Sequence, residues 1–295
     1  MSLKKILEDE LDDLIKLAVT ELPDDVEQAL KNALKHEKTE IGKMNLRIIL
    51  ENLEIAKTKS LPICQDTGIL NFFIKIGKCS ISYDEIYEII KNAVKRSTKN
   101  IPIRPSVVDP LSRKNTNNNV GEKIPHLYVD FNSEPYFEIT VFPKGAGSEN
   151  MCKMFMLTPH EGLMGIKKSV IETVIESGGK PCPPIKIGIG IGGSSELAMK
   201  LSKDALLRPL GKNHPVQRIA SIENKLLKMI NDTELGPMGL GGFVTALGVN
   251  IEYASCHTAS LPLGIGMQCW ADRRATMRVY EGGKIEYLSH RRARH

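Results

Sequence analysis

The stretch LGPMGLGGFVTALGVNIEYASCHTASLPLGIGMQCWADRR, residues 235–274, carries glycine at 236, 239, 241, 242, 248, 264 and 266, together with Cys256, His257 and Cys269. Only Glu252 is charged before Asp272. The segment has too little amphipathic pattern for a surface helix and too much glycine for an ordinary core. Its backbone is therefore expected to pass close to something other than a side chain, and a bound cofactor is the first candidate. Two further cysteines stand in similarly rigid settings, Cys64 in LPICQDTG (61–68) and Cys182 in GGKPCPPIKIG (178–188). The feature to be explained is three proline- and glycine-framed cysteines far apart in sequence.

Working outward, the run IKIGIGIGG (185–193) reads as a strand and SSELAMKLSKDALL (194–207) as the helix after it. Gly188, Gly190 and Gly193 match the G-x-G-x-x-G spacing of dinucleotide sites. The second half of that fingerprint, an acid closing a following strand about 20 residues on, is missing, because Asp204 falls within the same helix. These glycines can equally serve close approach of the strand to a cofactor, or anion binding at the helix N-terminus, where Ser194 and Ser195 would cap. Residues 159–176 and 215–230 read as helices, residues 243–253 as a strand, and RATMRVY and KIEYL as closing strands around a turn at 281–283.

Toward the N-terminus, Ile6, Leu7, Leu11, Leu14, Ile15 and Ala18 recur at helical spacing, and helices are expected over about 24–36 and 39–57. After Cys64, residues 69–77 read as a strand and 83–95 as an amphipathic helix. Residues 101–119 have no usable period, and their length points to a functional or mobile loop in which Arg104, between Ile103 and Pro105, is a candidate anion clamp. HLYVDF (126–131) and YFEITVF (136–142) alternate at period two and are expected to pair with each other as an antiparallel hairpin. KGAGSEN (144–150) follows, its glycines freeing backbone N–H groups for an anion or simply making a turn. The fold class expected is mixed α/β: a helical segment over 1–60, then an α/β body with a mixed sheet over 61–295 whose cysteine loops converge in one integrated unit.

With 295 residues, 41% apolar and 25% charged, the chain falls in the ordinary globular class. Forty basic against 35 acidic side chains give +5, an excess too mild and too dispersed for nucleic acid, the Arg291, Arg292, Arg294 cluster aside. That excess suits an anionic substrate. No run approaches the roughly 18 apolar residues of a membrane span, and the acidic, periodic N-terminus is unlike a signal peptide. A cytoplasmic location is expected, with the six cysteines as free thiols or metal ligands.

Zinc sites carry paired ligands at short spacing, and neither C-x-x-C nor H-x-x-x-H occurs. Three lone cysteines at 64, 182 and 269 suit instead an iron–sulfur cluster held at three corners, its fourth iron open as a Lewis acid for a hydroxy acid. Cys256, beside His257, rivals Cys269 as the third ligand. Cys79, Cys152 and Cys256 are otherwise expected to be core residues.

PICQDTG (62–68), KGAGSEN (144–150), KPCPPIKIGIGIGGSSE (180–196), LGPMGLGG (235–242) and ASCHTASLPLGIGMQCW (254–270) closely resemble the iron–sulfur class I fumarases and the related L-tartrate dehydratases. The resemblance spans nearly the whole chain and keeps the family's order of blocks. It implies a [4Fe–4S] cluster on Cys64, Cys182 and Cys269, favouring Cys269 over Cys256. By the same carry-over Gln65, Asp66, Arg104 and Gly147 contact substrate, and His257 is a catalytic histidine paired with Asp66. Single-chain family members continue into a further domain that supplies more arginines, a lysine and a threonine base. The resemblance therefore implies an α subunit that needs a β subunit, forms a hetero-oligomer and acts on a small dicarboxylate. Fumarate hydration to (S)-malate leads, and tartrate dehydration to oxaloacetate is the alternative. A non-catalytic iron–sulfur or redox-sensing protein and a nucleotide-binding oxidoreductase are the readings from other classes.

Overall fold

A computed structural model describes residues 2–79 and 81–290. The arginine cluster at 291–294 lies outside the described residues. The chain is mixed α/β and forms two compact units: Met1–Asp24, Asn52–Gly145 and Arg273–His295 make the first, Asp25–Glu51 and Ala146–Asp272 the second.

The helical opening is as expected: α1 (Leu3–Thr20), α2 (Asp24–His36) and α3 (Glu40–Lys59). In the first unit, β1 (Ile69–Ile76), α4 (Tyr83–Asn100), β2 (His126–Phe131), β3 (Tyr136–Lys144), β8 (Ala275–Tyr280) and β9 (Ile285–Tyr287) complete the elements. The five strands form one sheet in the order β2-β1-β3-β8-β9. Phe72, Ile74, Phe137, Ile139, Val141, Met277 and Val279 alternate onto one face and are buried with Leu11, Leu14 and Ile15 of α1 and Ile86, Ile90 and Ala93 of α4. Burying each such side chain contributes about 2 kcal/mol, so this face dominates the unit's stability.

The expected hairpin between 126–131 and 136–142 does not form. β1 lies between the two strands, parallel to β2 and antiparallel to β3. The reason lies in β1 itself: Leu70 to Ile74 are all buried, so this strand needs a neighbour on both edges. The connector from β2 to β3 instead passes over the end of β1, with Asn132 N donating to Ile76 O (2.9 Å) and Lys78 N to Glu134 O (2.9 Å). Gly77 makes that crossing possible, since a Cβ there would stand 2.1 Å from Glu134 O.

The second unit holds α5 (Ala146–Glu149), β4 (Lys153–Leu157), α6 (Gly162–Ser177), β5 (Ile185–Gly193), α7 (Ser195–Leu207), α8 (Gln217–Asn231), β6 (Ala246–Cys256) and β7 (Leu261–Gln268). Its sheet runs β4-β7-β5-β6, with β5 parallel to β6 and antiparallel to β7. Two strands of this sheet, β4 and β7, were not anticipated from sequence. On β5 the alternation divides the labour: Ile185, Ile187 and Ile189 join Val170 and Val174 of α6 and Leu226 and Ile230 of α8 in the core. The opposite face is glycine. Gly188 pairs with Gly266 and Gly190 with Gly264, giving a bare patch across two strands.

That patch is the seat of α7. A Cβ at Gly190 would stand 1.9 Å from Ala198 O, one at Gly188 2.1 Å from Ser202 O, and one at Gly264 2.4 Å from Ala198 O. Thus the glycines at 188, 190 and 264 do approach something other than side chain, as expected, but it is the backbone of a helix rather than a cofactor. Two glycines of the G-x-G-x-x-G match, Gly188 and Gly190, are accounted for in the same way; the third, Gly193, takes φ +71° at the turn into α7, which Ser194 caps by accepting from Leu197 N. Where α7 ends, Lys186 Nζ donates to Leu206 O (2.7 Å) and Arg208 O (2.8 Å) and pairs with Asp272 (3.1 Å), an ion pair fully buried on both sides. A cation at the carbonyl end of a helix is favourably placed.

Candidate functional site

In the first unit, the Cys64–Asp66 loop joins α3 to β1. It is tied to the helices by Ile63 N donating to Val19 O (2.9 Å) and Asn52 Nδ2 donating to Ile63 O (2.9 Å). Cys64 and Asp66 are half-buried and Gln65 is exposed. Thr67, fully buried, takes Arg104 N on its Oγ1 (3.0 Å) and so brings the Arg104 loop to the Cys64 loop. The guanidinium-bearing residue itself is exposed. The long loop at 101–119 is held rather than loose: buried Asn119 donates to Arg104 O (3.2 Å) and accepts from Ser106 N (2.7 Å), and Asn115 donates to Pro105 O (3.0 Å).

Gly145 closes this group. A Cβ there would lie 2.9 Å from Asp66 Oδ2 and 3.7 Å from Arg273 Nη2, and Arg273 Nη2 donates to Asp66 O at 2.9 Å. Cys64, Gln65, Asp66, Arg104 and Gly145 therefore share one locality, with Thr67 and Arg273 as members that sequence reading missed. The available signal for Arg273 was its place in WADRR, where charge first returns after a nearly uncharged run.

In the second unit, the loops bearing Cys182 and Cys269 meet. Trp270 N donates to Cys182 O at 3.1 Å, so the peptide after one cysteine is bonded to the carbonyl of the other. Cys182 adopts φ +55°, a left-handed conformation that a non-glycine residue takes only when its surroundings enforce it. Gly147, exposed at the turn of α5, lies against the same loop: a Cβ there would stand 2.9 Å from Lys180 O. Buried Ser148 donates to Gln268 Oε1 (3.4 Å), joining α5 to the end of β7.

His257 is exposed in the turn between β6 and β7. Its Nδ1 accepts from Ala259 N at 3.1 Å, which leaves the proton of the neutral ring on Nε2. Cys79 fits the core reading, half-buried with its thiol pushed up by burial. Cys256 does not: at the end of β6, where the strand outlasts its buried stretch, it is exposed. None of the cysteines forms a disulfide, and among the described residues no group of three or more His, Cys, Asp and Glu side chains is gathered to hold a metal ion.

A family model described as Fumarate hydratase (Fumerase) matches residues 8–278. The chain belongs to this family. Among its relatives, a protein of Methanocaldococcus jannaschii, provisionally named L(+)-tartrate dehydratase subunit alpha, is 50% identical over 278 residues, covering 92% of this chain and 97% of that one. The L(+)-tartrate dehydratase subunit alpha of Escherichia coli K12 is 35% identical over 277 residues, 93% of this chain and 91% of the relative. Membership of the fumarase family makes the chemistry that of a hydro-lyase. Cys64, Cys182 and Cys269 fit an iron–sulfur group in kind: they are soft, half-buried thiol donors, two of them on loops bonded to each other. Among the described residues no helix is long and apolar enough to cross a membrane.

Proposed function

We propose that this chain is the α subunit of an iron–sulfur-dependent dehydratase that removes water from L-tartrate to give oxaloacetate, working with a β subunit. The observation that carries the substrate is the naming of the relatives: both are called α subunits of L(+)-tartrate dehydratase, and each aligns over more than nine-tenths of this chain. Fumarate hydration to (S)-malate, favoured by the sequence blocks alone, stands second on the description of the family model. The two substrates are four-carbon dicarboxylates differing in hydroxylation, so the choice between them turns on few contacts.

Cys64, Cys182 and Cys269 are the residues that would hold a [4Fe–4S] cluster. When bound, such a cluster supplies a Lewis-acidic iron for the hydroxyl and carboxylate of the substrate. The remaining roles belong to this chain's own groups. The exposed Arg104 guanidinium can grip a carboxylate with two parallel N–H groups. The Gly147 N–H can approach where a side chain would collide. His257, with Nδ1 occupied by Ala259 N–H, carries the ring proton on Nε2 and is set to give it up there as a general acid to the leaving hydroxyl. Asp66 is the partner proposed for it, and Gln65 is proposed to hydrogen-bond the substrate.

The test is anaerobic iron and sulfide loading of the chain together with its β partner, followed by assay on L-tartrate, fumarate and (S)-malate. Turnover of L-tartrate above that of fumarate is expected. Equal or greater fumarate turnover reverses the order of the two substrates, and absence of dehydratase turnover in an iron-loaded complex overturns the reading.

A further inference from the structure

Arg273 is 1% exposed and the bulkiest of the fully buried side chains. A guanidinium remains a cation throughout the physiological range, so its burial calls for acceptors. One is present: Nη2 donates to Asp66 O at 2.9 Å. Nε and Nη1, both buried, have no hydrogen-bond partner among the described residues. The neighbouring carboxylate in sequence, Asp272, is engaged by Lys186. Asp66 Oδ2 faces the same bare backbone at Gly145 that Nη2 faces. A buried cation with two spare N–H-bearing nitrogens is costly in the chain by itself and becomes favourable when an anion arrives.

We infer that Arg273 is a positioning residue of the dehydratase site. It holds the Cys64–Asp66 loop by the Asp66 carbonyl, and its spare N–H groups receive an anion when the site is loaded. This rests on the hydro-lyase reading above. The acceptor chemistry is common to two sources, a carboxylate of the substrate and the sulfide and thiolate face of a bound cluster. No covalent step is involved.

The experiment uses the complex of this chain with its β partner, prepared anaerobically as wild type, Arg273→Met and Arg273→Lys. Three quantities are read: the thermal midpoint of the metal-free protein, its shift on adding succinate as an unreactive dicarboxylate, and the iron retained after gel filtration of the loaded protein. Arg273→Met is expected to leave the metal-free midpoint unchanged or raised, because a buried charge without a counter-charge has gone. It is also expected to weaken the anion by roughly ten- to hundredfold, the loss of charge-assisted hydrogen bonds. If the anion is a carboxylate, the succinate shift disappears; if it is the cluster, the retained iron falls. Arg273→Lys, which keeps the charge but not the fork, is expected to recover part of either. An Arg273→Met protein that keeps both the wild-type succinate shift and wild-type iron overturns the inference. Should wild type itself bind neither succinate nor iron, the hydro-lyase reading fails first, and the two failures are thereby told apart.

Discussion

Glu37 is a buried carboxylate stabilised by N–H and O–H donors. Its Oε1 accepts from Lys38 N, Thr39 N and Thr39 Oγ1, each at 2.9 Å, and its Oε2 from Phe243 N (2.9 Å) and Val244 N (3.0 Å). Burial alone would raise its carboxyl, but the hydrogen bonds from Thr39, Val244 and Lys38 outweigh burial and hold it below the ordinary 4.5. Because the folded value is the lower one, this group's contribution to stability is full above about pH 4.5 and is lost as pH falls through the folded value. Glu37→Gln turns one acceptor into a donor facing N–H groups, and is expected to lower unfolding free energy by about 3 kcal/mol at pH 7. Urea titrations at pH 7 and pH 4 check both points: the wild type loses part of this margin on acidification, and the variant does not. Among the cysteines, Cys269→Ser is expected to abolish iron retention by anaerobically loaded protein, whereas exposed Cys256→Ser leaves it intact. Iron analysis of the two variants checks which is the third ligand, and the opposite result exchanges their roles. Thr67 and Arg273 were not legible in the sequence because what recruits them is remote: Arg273 meets Asp66 across 207 positions, and Thr67 meets Arg104 across 37.

At the scale of elements, helices announced themselves wherever one apolar stripe recurs at three- and four-residue steps, as in α1, where Leu7, Leu11, Leu14 and Ile15 are all buried. Strand pairing did not. β2 and β3 are neighbours in sequence with a turn between them, yet the nearly continuous burial of β1 decides that β1 intervenes, and a demand on both edges of a strand leaves no local mark. The glycines of β5 and β7 were read correctly as a close approach and wrongly as an approach to a cofactor, because sequence shows the gap and not its occupant. The occupant is α7. Gly190→Ala places a methyl group 1.9 Å from Ala198 O in a position where both partners are backbone, so α7 must lift from the sheet. The expected cost is about 3 kcal/mol, at the upper end for overpacking. Thermal unfolding of the variant checks it, and a midpoint within a degree or so of wild type removes α7 as the reason for the glycine patch.

For the molecule as a whole, the chain leaves the first unit twice, over 25–51 and again at 145/146, within KGAGSEN, from where it returns at 272/273, within CWADRR. Consecutive residues are thereby anchored in different units: Asp272 to Lys186 at 3.1 Å in the second, Arg273 to the Asp66 carbonyl at 2.9 Å in the first. The Asp272 anchor, three residues past Cys269 in the same unit, limits how far the loop bearing that thiol can drift. Preorganisation of this chain's half of a site does not supply the other half. Dehydration needs a base for the carbon-bound proton and a grip on both carboxylates; His257, its Nε2 already protonated, is an acid rather than that base, and for the carboxylates this chain offers Arg104 and the buried Arg273. The chain loaded with iron and sulfide alone is therefore expected to bind a dicarboxylate and to turn it over at no more than about a hundredth of the rate of the complex with its β partner, the loss expected when a general base is missing. Steady-state assay of the loaded chain with increasing β subunit checks this. Activity that rises and saturates at one β per α supports a shared site, whereas full turnover before any β is added assigns the base to this chain.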